Sequence, residues 1–401
     1  MHIRHLSLSN FRNYARLELD LSPGISVFYG DNAQGKTNLL ESVYVLATSR
    51  SPRTTSDGEL ISWPALKEDM PVCRIAAEVE KGARTHTVEI ALMARMGSHQ
   101  REHPASTTHL MPKAPTVHKR VRLDGAPKRA ADLIGQIKAV VFTVHDIDIV
   151  SGEPALRRRY LDITISQLDR LYLRHLQRYS KVLSQRNRLL HRIAEGEAHQ
   201  DELAFWDKEL TQSGSYLVVQ RARAVAGLEE LAQPTHAELS GEEAALRMVY
   251  VRSIGARDSA DVDTEDTIAT LFREALNASR AKELAQKATL IGPHRDELRF
   301  LSNGIDVGVY SSRGQQRTVA LALKLAQARF ILDETGEPPV LLLDDVLSEL
   351  DARRRAHLLA SIQEYHQVLV TATELDHFDG DFLSKANVCE VKDGRVERAG
   401  T

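Results

Sequence analysis

The spacing of hydrophobic and polar residues changes repeatedly along the chain, and each change predicts an element. Residues 3 to 8 alternate, the pattern breaks over Ser9 to Tyr14, and 17 to 21 alternate again, which predicts an opening hairpin. Ile25 to Tyr29 reads as a third strand that runs through a glycine-rich turn into a helix-forming run from Thr37 to Ala47. Residues 72 to 93 predict two more paired strands turning at Gly82. Ala94 to Lys119, rich in Ser, Thr, Pro, His and Met, has no period and is expected to be a loop insertion. His99, His103, His109 and His118 fall there at irregular spacing and without cysteine, so a solvated loop is a better reading than a metal site.

From Glu153 to Leu231 the period becomes helical. Tyr172, Leu176, Tyr179, Leu183, Leu190 and Ile193 form one stripe, and Trp206, Leu210, Leu217, Ala224, Leu228 and Leu231 form another after a break at Gly196. Two antiparallel helices are expected, each about 30 residues and ~45 Å long, a short arm rather than a long coiled coil. A third helix is expected over Asp263 to Ala288, then short strands near Leu290 and Leu298. The chain then returns to α/β order: helix Gly314 to Leu332, strand Pro339 to Leu343, helix Ala352 to Tyr365, strand Gln367 to Val370.

Composition narrows the class. Of 401 residues 42% are hydrophobic and 27% charged, with 55 acidic against 52 basic side chains, a soluble and nearly neutral balance that excludes a globally basic, histone-like chain. The apolar runs are far shorter than the ~20 residues of a membrane span, and the N-terminus lacks the apolar run of roughly 7–15 residues of a signal peptide. Cys73 and Cys389, far apart and outside any CxxC spacing, give neither a disulfide framework nor a structural zinc site. A cytoplasmic location fits.

Gly30-Asp31-Asn32-Ala33-Gln34-Gly35-Lys36-Thr37 matches the phosphate-loop pattern GxxxxGK[ST] between a predicted strand and a predicted helix. Its glycines let backbone N–H groups curl around phosphate oxygens at a helix N-terminus. Lys36 is expected to reach the β- and γ-phosphates of ATP and Thr37 to ligate Mg²⁺, with Asn38 next to them also at the nucleotide. Val340-Leu341-Leu342-Leu343-Asp344-Asp345 reads as a doubly covered strand with carboxylates at its C-terminal end. Asp344 is expected to hold the metal and Asp345 to position the attacking water. Gly30 and Asp344 lie about three hundred residues apart yet must meet one nucleotide. The two chain ends are therefore expected to assemble one α/β head, from residues 1–150 (with the insertion 94–119) and 289–401, and residues 151–288 to form an inserted, mainly helical arm.

Ser311-Ser312-Arg313-Gly314-Gln315-Gln316-Arg317 lies between these motifs and resembles the signature of ABC-type ATPases, with Arg313 where the first signature glycine would stand. Ser348 to Asp351 resembles the D-loop of that superfamily, and Thr373 stands where a switch histidine would be. The order of Leu6 to Tyr14, Gly30 to Glu41, Ile291 to Leu298, Ser312 to Thr318 and Leu341 to Asp351 is similar to that of the RecF family of bacterial DNA replication and repair proteins, over essentially the whole chain. The resemblance implies an ATP-dependent homodimer in which Ser312, Gly314 and Gln315 of one chain close on the phosphate loop of the other, with Asp351 and Thr373 at the nucleotide and Arg12 and Asn13 near its adenine. It also implies slow ATP hydrolysis acting as a switch, no nuclease activity, binding to single-stranded DNA, gaps and single-strand/double-strand junctions, and work with RecO and RecR to load RecA. Two departures stand out: the insertion is longer than that family's turn, and Val140 to Asp146 occupies the Q-loop region without a glutamine.

Between Ala155 and Glu195 ten Arg and Lys face three acids, an excess that suits phosphate contacts through counterion release. Arg174, Arg178, Lys181, Arg186, Arg188 and Arg192 are the candidate DNA contacts. Few aromatics interleave, so backbone rather than base recognition is expected. The rival reading is the ATP-binding subunit of another ABC-type machine. A transporter subunit needs a much shorter phosphate-loop-to-signature spacing and a switch histidine, and an SMC-type protein needs far longer arms.

Overall fold

The alternation at the N-terminus forms β1 (His2–Phe11) and β2 (Tyr14–Asp20), paired antiparallel, and β3 (Gly24–Tyr29) runs into the phosphate loop. This computed structural model describes residues 1–95, 116–241, 245–255 and 264–398. It divides into two units, Met1–Val144 with Ile331–Thr401, and His145–Phe330.

In the first unit β4 (Val72–Lys81), β5 (Arg84–Arg95), β6 (Thr116–Leu123) and β7 (Ala126–Lys128) extend the hairpin into an antiparallel sheet of order β2-β1-β4-β5-β6-β7. A second sheet, order β15-β14-β3-β13-β12-β8, contains β3, β8 (Ala139–Thr143), β12 (Val340–Asp344), β13 (Gln367–Ala372), β14 (Asn387–Lys392) and β15 (Arg395–Arg398). All its pairs are parallel except β14 with β15. Its central strands are buried throughout, which is why Val340 to Leu343 reads as an unbroken apolar run. Helix α1 (Lys36–Thr48) shares one core with both sheets, so it is buried nearly all round and lacks a polar face.

The second unit holds α2 (Pro154–Leu168), α3 (Arg170–Ala194), α4 (Leu203–Ser240), α5 (Glu265–Gln286) and a sheet of β11 (Ile305–Asp306), β10 (Glu297–Ser302) and β9 (Leu246–Val251). Helix α6 (Arg313–Thr335) starts in this unit and ends in the first, where α7 (Ala352–Ile362) follows β12. The division places residues 289–330, the signature among them, with the helical unit, whereas the sequence reading groups them with the head.

Other differences have local causes. The first expected arm helix breaks at Asp169, whose carboxylate accepts the Leu171 N–H at 2.7 Å and starts α3 as an N-cap. No strand forms at Leu290; its N–H bonds to the Glu283 carboxylate at 2.8 Å instead. The expected loop 94–119 is ordered at both margins, where Arg95 pairs with Thr116 between β5 and β6, and His118 lies in β6. His99, His103 and His109 lie outside the described residues.

The block Ile291 to Leu298 is a knot of buried polar contacts. Gly292 has φ +129°, and a Cβ there would lie 2.3 Å from the Tyr179 hydroxyl oxygen. The Asp296 carboxylate accepts from Tyr250 OH (2.5 Å) and from Ser253 N (2.8 Å), while buried Arg221 donates to Pro293 O (2.6 Å) and to Asp162 (2.8 Å). His294 bridges Tyr179 OH (2.7 Å) and Thr289 O (3.1 Å) through its two ring nitrogens. Burial lowers its pKa from 6.5 to about 4. The unfolded chain therefore takes up this proton near pH 6.5 and the folded chain only near 4, so the stability is present above pH 6.5 and is lost as pH falls toward 4. His294→Asn is expected to be less stable than the native chain at pH 7, with the gap narrowing by about 2 kcal/mol at pH 5. Denaturant titrations at the two pH values check this; a constant gap contradicts it.

Candidate nucleotide-binding site

The phosphate loop joins β3 to α1 with positive φ at Gly30 (+145°), Ala33 (+65°) and Gly35 (+118°). Side chains are excluded at both glycines, since a Cβ on Gly30 would lie 2.4 Å from Val391 O and one on Gly35 2.6 Å from Asn13 Nδ2. Asp31, Asn32 and Ala33 form an exposed crown. The loop is held from two sides. Asn13 Nδ2 donates to Gln34 O (2.9 Å) and Tyr14 OH to Gly35 O (3.1 Å), while Asp393 N donates to Gln34 Oε1 (2.7 Å) and Gly394 N to Gln34 O (3.1 Å).

Lys36 is buried, and its Nζ donates to Gly30 O at 2.5 Å and Asp31 O at 2.7 Å. Burial lowers its pKa, opposed by Asp345, Asp344 and Asp31. The ammonium lies inside the loop with carbonyl partners that phosphate oxygens can replace. Across the sheet, with β13 between β3 and β12, the Thr37 hydroxyl donates to Asp344 Oδ1 at 2.8 Å. The two predicted metal ligands are thus in contact although 307 positions separate them. Thr371 completes the arrangement: its hydroxyl donates to Asp344 Oδ1 (3.0 Å) and accepts from Asp345 N (3.0 Å). Asp345 has φ +52°; burial, then Asp344, raises its pKa, with Lys36 and Ser348 opposing.

Arg12, with φ +53°, does not point free into solvent. It donates to both oxygens of buried Glu41 at 2.9 and 2.7 Å and to Glu59 O at 2.9 Å. A chain of bonds runs from Arg53 to Asn38 Oδ1 (3.0 Å), Asn38 to Asn13 Oδ1 (2.8 Å), and Asn13 to the loop. Asp351 caps α7, accepting from Arg354 N at 2.9 Å, and its carboxyl is held below the usual range by that bond. Thr373 follows β13, half-buried.

In the second unit Ser312, Gly314 and Gln315 are exposed at the start of α6. Gln315 Oε1 accepts from Ser312 N (2.9 Å) and Ser312 Oγ from Gln315 N (3.3 Å), a capping box that fixes the turn. Among the basic candidates, Arg174, Lys181 and Arg188 are exposed on α3, a helix without a single acidic residue. Arg178 is exposed but paired with Glu209, and Arg192 donates to Glu197 O at 3.2 Å. Arg186 is a correction. It is fully buried, donating to Asp207, Thr289 Oγ1 and Glu283 at 2.7 Å each, so it has no surface to offer a phosphate.

The sequence reading missed Tyr14, Glu41, Arg53 and Thr371. Two signals were present: a charged residue, Glu41, directly after Leu39 and Leu40 in α1, and a hydroxyl, Thr371, in the buried run of β13.

The chain matches the family described as RecF/RecN/SMC N terminal domain over residues 2–392. It is 47% identical to the DNA replication and repair protein RecF of Chloroflexus aurantiacus, with 99% of each chain covered. It is 36% identical to the RecF of Lysinibacillus sphaericus over the full length of both. A solved structure of the recombination mediator protein RecF with ATP, in the RecFOR pathway, superposes with TM-score 0.84 at 31% identity, covering 100% of this chain and 98% of that one. An Smc head bound to the C-terminal winged-helix domain of ScpA shares the fold at TM-score 0.51 and 14% identity, with 100% and 97% covered.

Proposed function

Because the chain belongs to the RecF family of ABC/SMC-type ATPases, we propose that it is an ATP-controlled clamp on DNA in recombinational repair. In this reading two copies close head to head on ATP at single-strand gaps and single-strand/double-strand junctions, reopen on slow hydrolysis, and cooperate with RecR and RecO to place RecA. The carrying observation is the Thr37–Asp344 bond, which brings two hard oxygen ligands from distant segments to one point beside the phosphate loop.

The residues fit ATP and magnesium. The loop backbone can take this course only with glycine at 30 and 35, where a Cβ would strike Val391 O and Asn13; Lys36 supplies the cation, and Thr37 and Asp344 would hold the metal. Magnesium, when bound, neutralises charge on the β- and γ-phosphate oxygens. Asp345, raised by burial and by the neighbouring Asp344, is suited to accept a proton from water. Ser312, Gly314 and Gln315 would complete the site from the second copy. Ser312→Arg is therefore expected to block ATP-dependent dimerisation while the monomer still binds ATP, and normal ATP turnover by this variant counts against the reading.

The exposed side chains of α3 are the proposed DNA surface, without Arg186. Arg174→Glu with Lys181→Glu is expected to weaken DNA binding and flatten its dependence on salt by about two phosphate contacts. An unchanged salt slope assigns this helix face to solvent.

A further inference from the structure

Directly before the signature turn, Val309 and Tyr310 are 68% and 78% exposed. They are displayed on a fixed support. The Asp306 carboxylate caps the short helix Val307–Tyr310 through Gly308 N at 3.0 Å, and Gln316 Nε2, from the first turn of α6, donates to Val307 O at 3.2 Å and Gly308 O at 3.3 Å. Val307 is buried, and a Cβ on Gly308 would lie 2.6 Å from Val150 O, so this backbone is pressed against its own unit. An exposed tyrosine on a fixed backbone has the character of an interface anchor, whose main chain needs no ordering on binding, and Val309 widens the apolar surface beside it.

Charge indicates what covers them. Arg313 is exposed and has no hydrogen-bond or ion-pair partner among the described residues, and the first turn of α6 contains no acid. A cation at that end opposes the helix dipole, so the edge is complementary to an anionic surface. A nucleotide-loaded phosphate loop is such a surface, with exposed Asp31 at its crown. We propose that Val309 and Tyr310 are the apolar anchor of the ATP-closed dimer, seated against the head of a second copy of this chain, with Arg313 between them and its bound nucleotide. This inference rests on the head-to-head reading above and adds an apolar contact to the polar signature.

The test compares three full-length variants by sedimentation velocity with a slowly hydrolysed ATP analogue: Ser312→Arg, Val309→Ala with Tyr310→Ala, and Tyr310→Phe. The double variant is expected to raise the apparent dimer dissociation constant roughly tenfold or more, and Tyr310→Phe, which keeps the ring, less than threefold. Hydroxyl-radical footprinting of the native chain should show Tyr310 protected by the analogue only at dimer-forming concentrations. If Ser312→Arg is monomeric while the double variant dimerises like the native chain, the anchor is wrong and the head-to-head reading stands. If Ser312→Arg still dimerises, the head-to-head reading fails and takes the anchor with it. Protection of Tyr310 by single-stranded DNA without nucleotide assigns the patch to base stacking and overturns the proposal.

Discussion

Lys36→Ala is expected to abolish ATP-dependent dimerisation and retention on DNA while leaving the fold in place. The ammonium is buried inside the phosphate loop on two backbone carbonyls, Gly30 O and Asp31 O, the only cation among the loop residues Gly30–Thr37. A hydrogen bond to a charged group contributes about 1.5–3 kcal/mol, so losing two to phosphate oxygens lowers nucleotide affinity by a hundredfold or more. The folded chain loses two carbonyl contacts but also the cost of burying an ammonium, which offsets them, so stability changes far less than nucleotide affinity. Lys36→Arg should fail almost as badly, because a planar guanidinium does not fit where a compact ammonium turns between two carbonyls. Titration calorimetry with ATP and light scattering before and after its addition check both; a Lys36→Ala protein that dimerises on ATP contradicts the assignment.

Arg186→Ala is expected to have the largest effect on stability, about 3–5 kcal/mol, because it leaves a buried charge uncompensated. Glu283 is fully buried, with one oxygen on Arg186 Nη2 at 2.7 Å and the other on Leu290 N at 2.8 Å. Asp207 keeps Arg280 at 2.6 Å, so the damage centres on Glu283. Arg186→Ala combined with Glu283→Gln should recover part of the loss, since the remaining group is neutral. Urea denaturation of both variants measures this, and a loss below about 1 kcal/mol would place Arg186 at the surface after all.

Arg186 also shows where sequence reading stops. Counting charges along α3 finds a basic segment but does not separate its faces. Arg186 follows Tyr179 and Val182 and precedes Leu189 and Leu190, the apolar stripe that packs inward, whereas Arg174, Lys181 and Arg188 fall on the other side. Its position was legible from the period, but its partners Glu283 and Thr289 lie about a hundred positions away. The phosphate loop and the Asp344 strand were legible because each carries a local pattern that chemistry demands. Thr371 was not, since its role depends on β13 lying between β3 and β12. β9, β14 and β15 went unread for a related reason: pairing defines them, β9 with β10 across about fifty residues, and β14 with β3 and β15. The grouping of the two chain ends follows from the phosphate loop and the Asp344 strand having to meet one nucleotide, and the shared sheet of β3, β12 and β13 realises it in space.

If ATP, read by residues from both ends of the chain, closes two copies on DNA, the mass of the native chain depends on nucleotide. Sedimentation velocity of the native chain tests it most directly, with and without ATP and magnesium, in the presence of gapped duplex, single-stranded DNA or neither. A monomer is expected without nucleotide, a dimer with ATP, and the most stable dimer with ATP and gapped duplex together. A species whose mass is the same with and without ATP under all three conditions would contradict it.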